Sequence, residues 1–334
     1  MKFIMHICQT KSIFRQLSIL GMAMAITSLV SASPEVLTLP VGVVEVAIVG
    51  EGKTAFISQG GLVAARVYEG EGAVPTTTSL TADAPGWVPG AYAGTHYVQL
   101  NGGEWSAITA NSSDALTLES DLPISPSVVF KIHPLQTVDG LFGASNAAGF
   151  TGGVDLSSGD LLALWDSSVQ NYLGYLYYNS TRERWEDAAN NYAGGTILYP
   201  DEGLLVIGAN SGSIRIKGEV QLDGTVGVLA GEGGVSIVPN PYVAPVAIKD
   251  AGFESALSGG ATFGDADWLL VWDNDLQGFS KYFYYDTDDS TWKDASNNPA
   301  TEDDVILPGS SIAVSKNSVG IVTWKMSAPF TFTK

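Results

Sequence analysis

The chain contains one long stretch of sequence twice. Residues 160–191 read DLLALWDSSVQNYLGYLYYNSTRERWEDAANN, and residues 267–298 read DWLLVWDNDLQGFSKYFYYDTDDSTWKDASNN. The two copies align at a constant offset without a gap and are identical at 13 positions, most of which carry large or turn-forming side chains. The identities include Trp165/Trp272, Asp166/Asp273, Gln170/Gln277, Tyr175/Tyr282, Tyr177/Tyr284, Trp185/Trp292 and Asp187/Asp294. A gap-free repeat of this length indicates two related structural units, and it constrains architecture more than chemistry.

The residue pattern favours a β-protein. The 38 glycines, the runs of β-branched and aromatic residues, and the lack of a long amphipathic pattern with a 3.6-residue period predict an all-β fold. We expect two tandem related units, each an antiparallel β-sandwich or a partly open barrel. The first unit spans residues 33–218 and carries a β-rich insertion near residues 59–130. The second spans residues 219–334.

The N-terminal segment, residues 1–32, has the features of a signal peptide. Basic residues lie near the start, an apolar run follows from Leu17 to Val30, and the small residues Ser31 and Ala32 suit cleavage. The apolar run is short for a membrane span, and no second apolar stretch of about 20 residues follows it. We therefore expect export to the periplasm, the cell surface or the extracellular space, with no transmembrane segment after cleavage.

The mature chain is strongly acidic. Three of the 16 Lys and Arg side chains lie within residues 1–32, a segment that contains no acid, so 16 − 3 = 13 basic side chains face 35 acidic ones and the net charge is −22. Phosphate binding needs clustered Lys and Arg, so nucleic acid is not an expected partner. The mature chain has no cysteine, and its stability must therefore come from core burial rather than from disulfides.

Four pieces of sequence follow one another in a distinctive order: PVGVVEV, ITANSSDALTL, IHPLQTVDGLFG and the repeated WD…Q…YYY…W…DA block. Together they resemble an uncharacterised family of exported bacterial proteins, and the resemblance covers most of the mature chain. It implies export. The family brings no known activity, cofactor or catalytic residue, so a function has to be inferred from the residues themselves.

The repeated aromatic residues are candidates for a binding surface, because aromatic faces beside Gln and Asp side chains suit glycans. The candidate ligand-binding residues are Tyr175, Tyr177, Tyr282 and Tyr284. The alternative is that the repeated aromatics are core anchors, since identity between duplicated halves marks a core as readily as a site. Trp165 and Trp272 end apolar strands, and that uninterrupted hydrophobicity predicts burial on both faces.

Four acids of the second copy resemble oxygen-rich calcium loops. These candidate calcium ligands are Asp273, Asp275, Asp286 and Asp288. At the same places the first copy has Asp166-Ser167-Ser168 and Asn179-Ser180-Thr181, with fewer carboxylates. A calcium site required by the fold should occur in both units, so calcium is expected at most in the second. No other cofactor is expected.

Carboxylate pairs are also candidates for glycosidase chemistry, in which one acid donates a proton and the other acts as base or nucleophile. The candidate acids for such a pair are those present in both copies, Asp166, Asp187, Asp273 and Asp294. The simpler interpretation is that Asp166 and Asp273 accept backbone amide hydrogen bonds in turns. The mature chain has His96 and His133 and no cysteine, so nucleophilic catalysis and a zinc site are not expected.

Two functional hypotheses follow from these residues. The first is a non-enzymatic exported protein with a structural, cell-surface or glycan-contacting role, whose partner is an extracellular glycan or envelope component. The second, less favoured, is a secreted carbohydrate-active hydrolase that uses paired carboxylates. A deep cleft holding two carboxylates about 5–10 Å apart would favour the hydrolase, whereas exposed aromatic rings without such a pair would favour binding.

We predict that the signal peptide is cleaved after Ala32, because Ser31 and Ala32 are small and Pro34 disfavours cleavage after Ser33. N-terminal sequencing of protein recovered from the periplasm or the culture supernatant should therefore begin at Ser33. A secreted product that keeps the apolar run Leu17–Val30 would contradict the prediction.

Overall fold

The computed structural model describes residues 40–329, and the signal peptide expected at residues 1–32 lies outside the described residues. Antiparallel strands dominate this range. Its helical structure consists of the five-residue helix α1 (Val138–Phe142) and of 3-10 turns at Ile248–Asp250, Phe253–Ser255 and Phe263–Asp265. The prediction of an all-β fold is confirmed. Between residues 40 and 329 no helix is long and apolar enough to cross a membrane.

The first unit is built from strands on both sides of a separate barrel. The strands before the barrel are β1 (Val41–Ile48), β2 (Lys53–Ile57) and β3 (Leu62–Val63). The barrel strands are β4 (Tyr68–Thr76), β5 (Ser79–Ala82), β6 (His96–Leu100), β7 (Trp105–Asn111), β8 (Ala115–Leu118) and β9 (Ser125–Pro134). They close in the order β4-β5-β8-β7-β6-β9. The barrel thus overlaps the insertion that the sequence indicates near residues 59–130.

The remaining strands form the repeated parts of the two units. Those of the first unit are β10 (Gln136–Thr137), β11 (Leu161–Asp166), β12 (Asn171–Asn179), β13 (Arg184–Asp187), β14 (Ile197–Leu198), β15 (Leu204–Gly208) and β16 (Gly212–Val220). Those of the second are β17 (Thr225–Leu229), β18 (Val235–Pro239), β19 (Val246–Ala247), β20 (Trp268–Asp273), β21 (Gly278–Asp286), β22 (Thr291–Asp294), β23 (Val305–Ile306), β24 (Ser311–Ser315) and β25 (Val322–Met326).

Each unit contains a five-stranded antiparallel sheet with the same strand order. The order is β13-β12-β11-β15-β2 in the first unit and β22-β21-β20-β24-β18 in the second. The two copies of the repeated sequence form the three-stranded meanders β11-β12-β13 and β20-β21-β22. Both meanders carry a register shift at the same place, between Leu164 and Trp165 and between Val271 and Trp272. The two segments are therefore structurally equivalent, as the gap-free repeat predicts.

The side chains that recur in the turns explain why both copies fold alike. Asp166 accepts a hydrogen bond from the backbone N–H of Ser168, and Asp273 accepts one from that of Asp275. Such Asp-backbone bonds close tight turns locally. Gln170 and Gln277 end these turns with φ of 53° and 52°. This left-handed backbone conformation is uncommon for residues other than glycine, and here both glutamines adopt it.

One face of each sheet packs on the core of its own unit. Trp185 and Trp292, from β13 and β22, are buried at equivalent positions in these two cores, and the second core also contains Trp324. Phe142 and Phe150 surround Trp185, while Tyr285 packs against Trp292. Burial of large aromatic side chains accounts for much of the hydrophobic stabilisation that a chain without disulfides requires.

The opposite faces of the two sheets pack against each other. Residues of both units form one apolar layer there, with Ala163 and Leu205 from the first unit and Ile237, Leu270 and Ala313 from the second. The small alanines in this layer let the two sheets approach closely. The two units are consequently joined by a shared hydrophobic core and not by a linker alone.

Two glutamine side chains fasten the edges of this sandwich reciprocally. The Gln170 amide accepts from the backbone N–H of Val235 (2.7 Å) and donates to its carbonyl oxygen (3.1 Å). The Gln277 amide makes the same two bonds with Thr54, at 2.6 and 3.1 Å. Val235 and Thr54 lie on β18 and β2, the outer strands of the two sheets. Each unit therefore caps an exposed edge strand of the other.

Trp165 and Trp272 belong to this contact between the units. Their indole N–H groups donate to the carbonyl oxygens of Val235 (2.8 Å) and Thr54 (2.9 Å). The Trp272 ring stacks on Phe56 of the first unit, with centroids 4.9 Å apart. Both tryptophans are half-buried, which differs from the burial on both faces that their strands predict. The register shift before each tryptophan is the reason, because a bulge redirects the following side chain.

We predict that Trp165→Ala lowers the free energy of unfolding by about 3 kcal/mol, because it removes a large apolar ring and a hydrogen bond from the contact between the units. Val169→Ala in the same hairpin is the matched control, since Val169 is 63% exposed. Urea denaturation of both variants beside the parent measures the difference. Equal urea midpoints for Trp165→Ala and the parent would show that Trp165 does not stabilise the contact between the units.

Candidate functional site

Two of the four tyrosines proposed as ligand contacts are buried. Tyr177 and Tyr284 lie inside their units, and their hydroxyl groups have protein partners. The Tyr177 hydroxyl lies 3.0 Å from Glu186 Oε2 and 2.9 Å from Asn190 Oδ1. The Tyr284 hydroxyl lies 2.7 Å from Asn297 Oδ1. These hydrogen bonds give both tyrosines a structural role.

Beside Tyr177 lies a buried carboxylate. Glu186 is held by Arg182 (2.9 Å), by Arg184 (2.7 Å) and by the side-chain amide of Asn179 (2.8 Å). Burial alone would raise the pKa of the Glu186 carboxyl group, but the hydrogen bonds from Arg182, Arg184, Asn179 and Tyr177 lower it to about 2. A carboxylate with so low a pKa stays ionised at neutral pH and cannot act as a general acid.

The second unit contains the same arrangement with its charges reversed. Lys293 occupies the position of Glu186, Asp289 that of Arg182 and Asp286 that of Asn179. The Lys293 ammonium group binds Asp286 (2.8 Å) and also Asp289. Both the central charge and its partner have changed sign, so the attraction is kept. This compensated change is expected of a structural ion pair and not of a catalytic centre.

The four calcium candidates lie at two separate turns. Asp273 and Asp275 precede β21, whereas Asp286 ends this nine-residue strand and Asp288 follows it, which places the two turns roughly 25 Å apart along an extended strand. Asp286 accepts hydrogen bonds from the backbone N–H groups of Asp288 and Asp289 and pairs with Lys293. Over residues 40–329 no three His, Cys, Asp or Glu side chains form a group that could hold a metal ion. Calcium binding by the second unit stays a prediction.

The repeated acids cap turns. Asp187 accepts from the backbone N–H groups of Ala189 and Asn191, and Asp294 accepts from those of Ser296 and Asn298. Hydrogen bonds from the backbone and side chain of Asn191 lower the pKa of Asp187, and those from Asn298 lower the pKa of Asp294. The side chain of Ser168 lowers the pKa of Asp166 in the same way.

The other two tyrosines differ between the units. Tyr175 packs against the apolar layer between the two sheets. Its counterpart Tyr282 is 36% exposed and lines a surface cleft of the second unit. We call this the Tyr282 cleft; its lining comprises Ser280, Lys281, Tyr282, Phe283, Asp294, Ala295, Ser296, Pro299 and Asp304. The space open to the centres of water molecules is ≈ 180 Å³.

The Tyr282 cleft combines an aromatic ring with charged and hydroxyl groups. Lys281 and Asp304 form an ion pair of 2.5 Å on one side. Burial alone would raise the pKa of Asp304, but Lys281 and Thr301 hydrogen-bond its carboxylate and keep the pKa below its usual value. Phe263 and Phe279 contact the Tyr282 ring edge-on, each with centroids 6.3 Å away, and thereby support its orientation.

The first unit has no equivalent combination of residues. Gly174 stands at the position of Lys281 and Leu173 at that of Ser280. The sequence alone did not single out Ser280, Lys281 or Asp304. The sequence does contain an indication of the site. In the gap-free alignment, polar residues of the second copy occupy positions at which the first copy has small or apolar residues. Such differences mark positions that the shared fold does not require.

The chain matches no protein-family model, and it has no significant similarity to a curated protein or to a solved structure.

We predict that Lys293→Glu destabilises the protein, because it places a third carboxylate beside Asp286 and Asp289. Importing the arrangement of the first unit should restore stability. The fourfold variant Asp286→Asn, Asp289→Arg, Thr291→Arg, Lys293→Glu is expected to recover more than half of the loss in urea midpoint. If the single and fourfold variants unfold at the same midpoint, the two clusters are not equivalent.

Proposed function

We propose that this protein is an exported, non-enzymatic, glycan-contacting protein and that the Tyr282 cleft of its second unit is the contact site. One observation carries the proposal. Tyr282 presents a partly exposed aromatic ring in a cleft with Lys281, Asp304, Ser280 and Ser296, whereas its counterpart Tyr175 is used for packing. Most repeated residues meet the needs of the fold, whereas Tyr282 is partly exposed beside residues that differ between the two copies.

The chemistry of the cleft suits a sugar ring. An aromatic face attracts the C–H groups of a sugar, while hydroxyl, ammonium and carboxylate groups around it donate to and accept from the sugar hydroxyls. The cleft is smaller than pockets that enclose drug-sized ligands, which measure about 300–1,000 Å³. It therefore fits one unit of a longer glycan, with the rest of the glycan lying along the surface.

The hydrolase alternative has weaker support. A glycosidase needs a carboxyl group that stays protonated at working pH. The pKa values of Asp294 and Asp304, which both line the cleft, are lowered. Burial raises the pKa of Asp201 to about 6, and burial with the neighbouring Asp201 raises the pKa of Glu202, whose side chain reaches solvent. Neither of these two residues lines the Tyr282 cleft.

A glycan-array screen of the mature protein, with and without calcium, tests the proposal. Tyr282→Ala should weaken binding of every positive glycan at least tenfold, because the aromatic platform is lost. Tyr172→Ala is the matched control, since Tyr172 is similarly exposed (39%) in the other copy. Binding that depends on calcium would in addition support the second-unit acids as ligands. An array without positive glycans, or equal losses in both variants, would argue against the Tyr282 cleft.

A further inference from the structure

The barrel is attached to the two units mainly by polar contacts. Its apolar core contains only residues between Tyr68 and Ile132, and in the described part of the chain no apolar cluster combines barrel residues with those of the units. Lys131 of the barrel pairs with Asp223 at 2.5 Å. Trp105 donates its indole N–H to the carbonyl oxygen of Val226 (3.1 Å) and stacks near Tyr199. Polar contacts of this kind are typical where domains meet and bind ligands between them.

A small cavity lies at this junction, which we call the junction cavity. Buried polar side chains from all three bodies line it: Gln99 from the barrel, Gln59 from the first unit, and Gln221, Thr225 and Asn240 from the second. The convergence of five buried amide and hydroxyl side chains is unusual for a protein interior, because each of them must find hydrogen-bond partners to offset its desolvation.

Two of these side chains have hydrogen-bonding groups without a protein partner, and that of Gln99 is also shielded from solvent. Gln99 is 4% exposed and donates to the carbonyl oxygen of Gly224, but its own Oε1 is buried without a donor. Gln221 is 7% exposed, and among the described residues its side-chain amide has no hydrogen-bond partner. The Gln99 Oε1 atom thus requires a hydrogen-bond donor, and the Gln221 amide can both donate and accept a hydrogen bond. A hydroxyl group supplies both functions at once.

Charge and size narrow the choice of ligand. None of the described residues lining the cavity carries a formal charge, so a charged ligand would be desolvated without a counter-ion. The space open to the centres of water molecules is ≈ 20 Å³, and one water needs about 10–15 Å³ on this scale. The cavity thus has room for one or two waters, or for a hydroxymethyl group in their place. A sugar ring has to remain outside the cavity, next to the partly exposed lining residues Trp105 and Pro200.

We propose that the junction cavity is a binding site for a neutral, hydroxyl-bearing small molecule, a sugar or polyol whose hydroxymethyl group enters between Gln99 and Gln221. Trp105 and Pro200 contact the apolar side of the ligand. Because the barrel and both units contribute to the cavity, the ligand also holds the barrel against them. This site is separate from the Tyr282 cleft and does not depend on it.

Saturation-transfer NMR on the mature protein tests the site with methyl glucoside, methyl galactoside and glycerol as neutral probes and glucuronate as a charged one. Gln99→Met and Gln221→Met keep the side-chain volume but remove hydrogen bonding, and each should raise the Kd of the neutral probes at least tenfold. Glucuronate should bind at least fivefold more weakly than methyl glucoside. Val169→Ala, at a side chain that is 63% exposed and lines neither site, should leave these constants unchanged, and Tyr282→Ala identifies any part of the binding that occurs in the Tyr282 cleft.

Several results would overturn the proposal. They are a parent protein that binds none of the neutral probes, a Kd that neither methionine variant changes, and a Kd that only Tyr282→Ala raises. A crystal soaked in methyl glucoside gives an answer independent of the variants. Sugar density between Gln99 and Gln221 supports the site, whereas water alone at saturating sugar rejects it.

Discussion

The architecture depends on a reciprocal hydrogen-bonded contact between the two units. Gln170 pairs with both backbone groups of Val235, and Gln277 does the same with Thr54. An uncovered edge strand is a site for unwanted pairing with other chains, and an unpaired backbone group is costly once it is shielded from water. Each unit caps an edge strand of the other with a glutamine side chain. Burial of the shared apolar layer supplies the driving force for association of the two units. Without the other unit, the apolar layer and the capped residues Thr54 and Val235 would lose the contacts that cover them.

This arrangement separates the residues that build the fold from those available for function. Identical residues in the two copies pack the cores, as Trp185 and Trp292 do, or join the units, as Trp165 and Trp272 do. Glu186 and Lys293 differ in sign but not in role, since their partners have changed with them. Lys281, in place of Gly174, has no such counterpart in the first unit, and its partner Asp304 lies with it in the Tyr282 cleft. Function is therefore better sought where the two copies differ in sequence or, as at Tyr175 and Tyr282, in exposure.

The all-β class and the paired meanders were predictable because the offset between the two copies is constant and the turn residues recur in both. The environment of Trp165 was not predictable, since its half-burial depends on a bulge and on the strand β18, which is distant in sequence. Closure of the barrel depends likewise on pairing between β4 and β9, the first and last of its strands. For the candidate site, Tyr282 was identified from its aromatic character. Lys281 and Asp304 were missed because their ion pair exists only in the folded chain.

Amide hydrogen exchange at Thr54 and Val235 measures the central contact most directly. Both N–H groups point away from their own sheets, and in the structure each donates to a glutamine of the other unit. Both amides should exchange slowly, and Gln277→Ala should accelerate exchange at Thr54 while Gln170→Ala should accelerate it at Val235. Rapid exchange of both amides in the parent protein, or rates that neither substitution changes, would contradict the reciprocal contact.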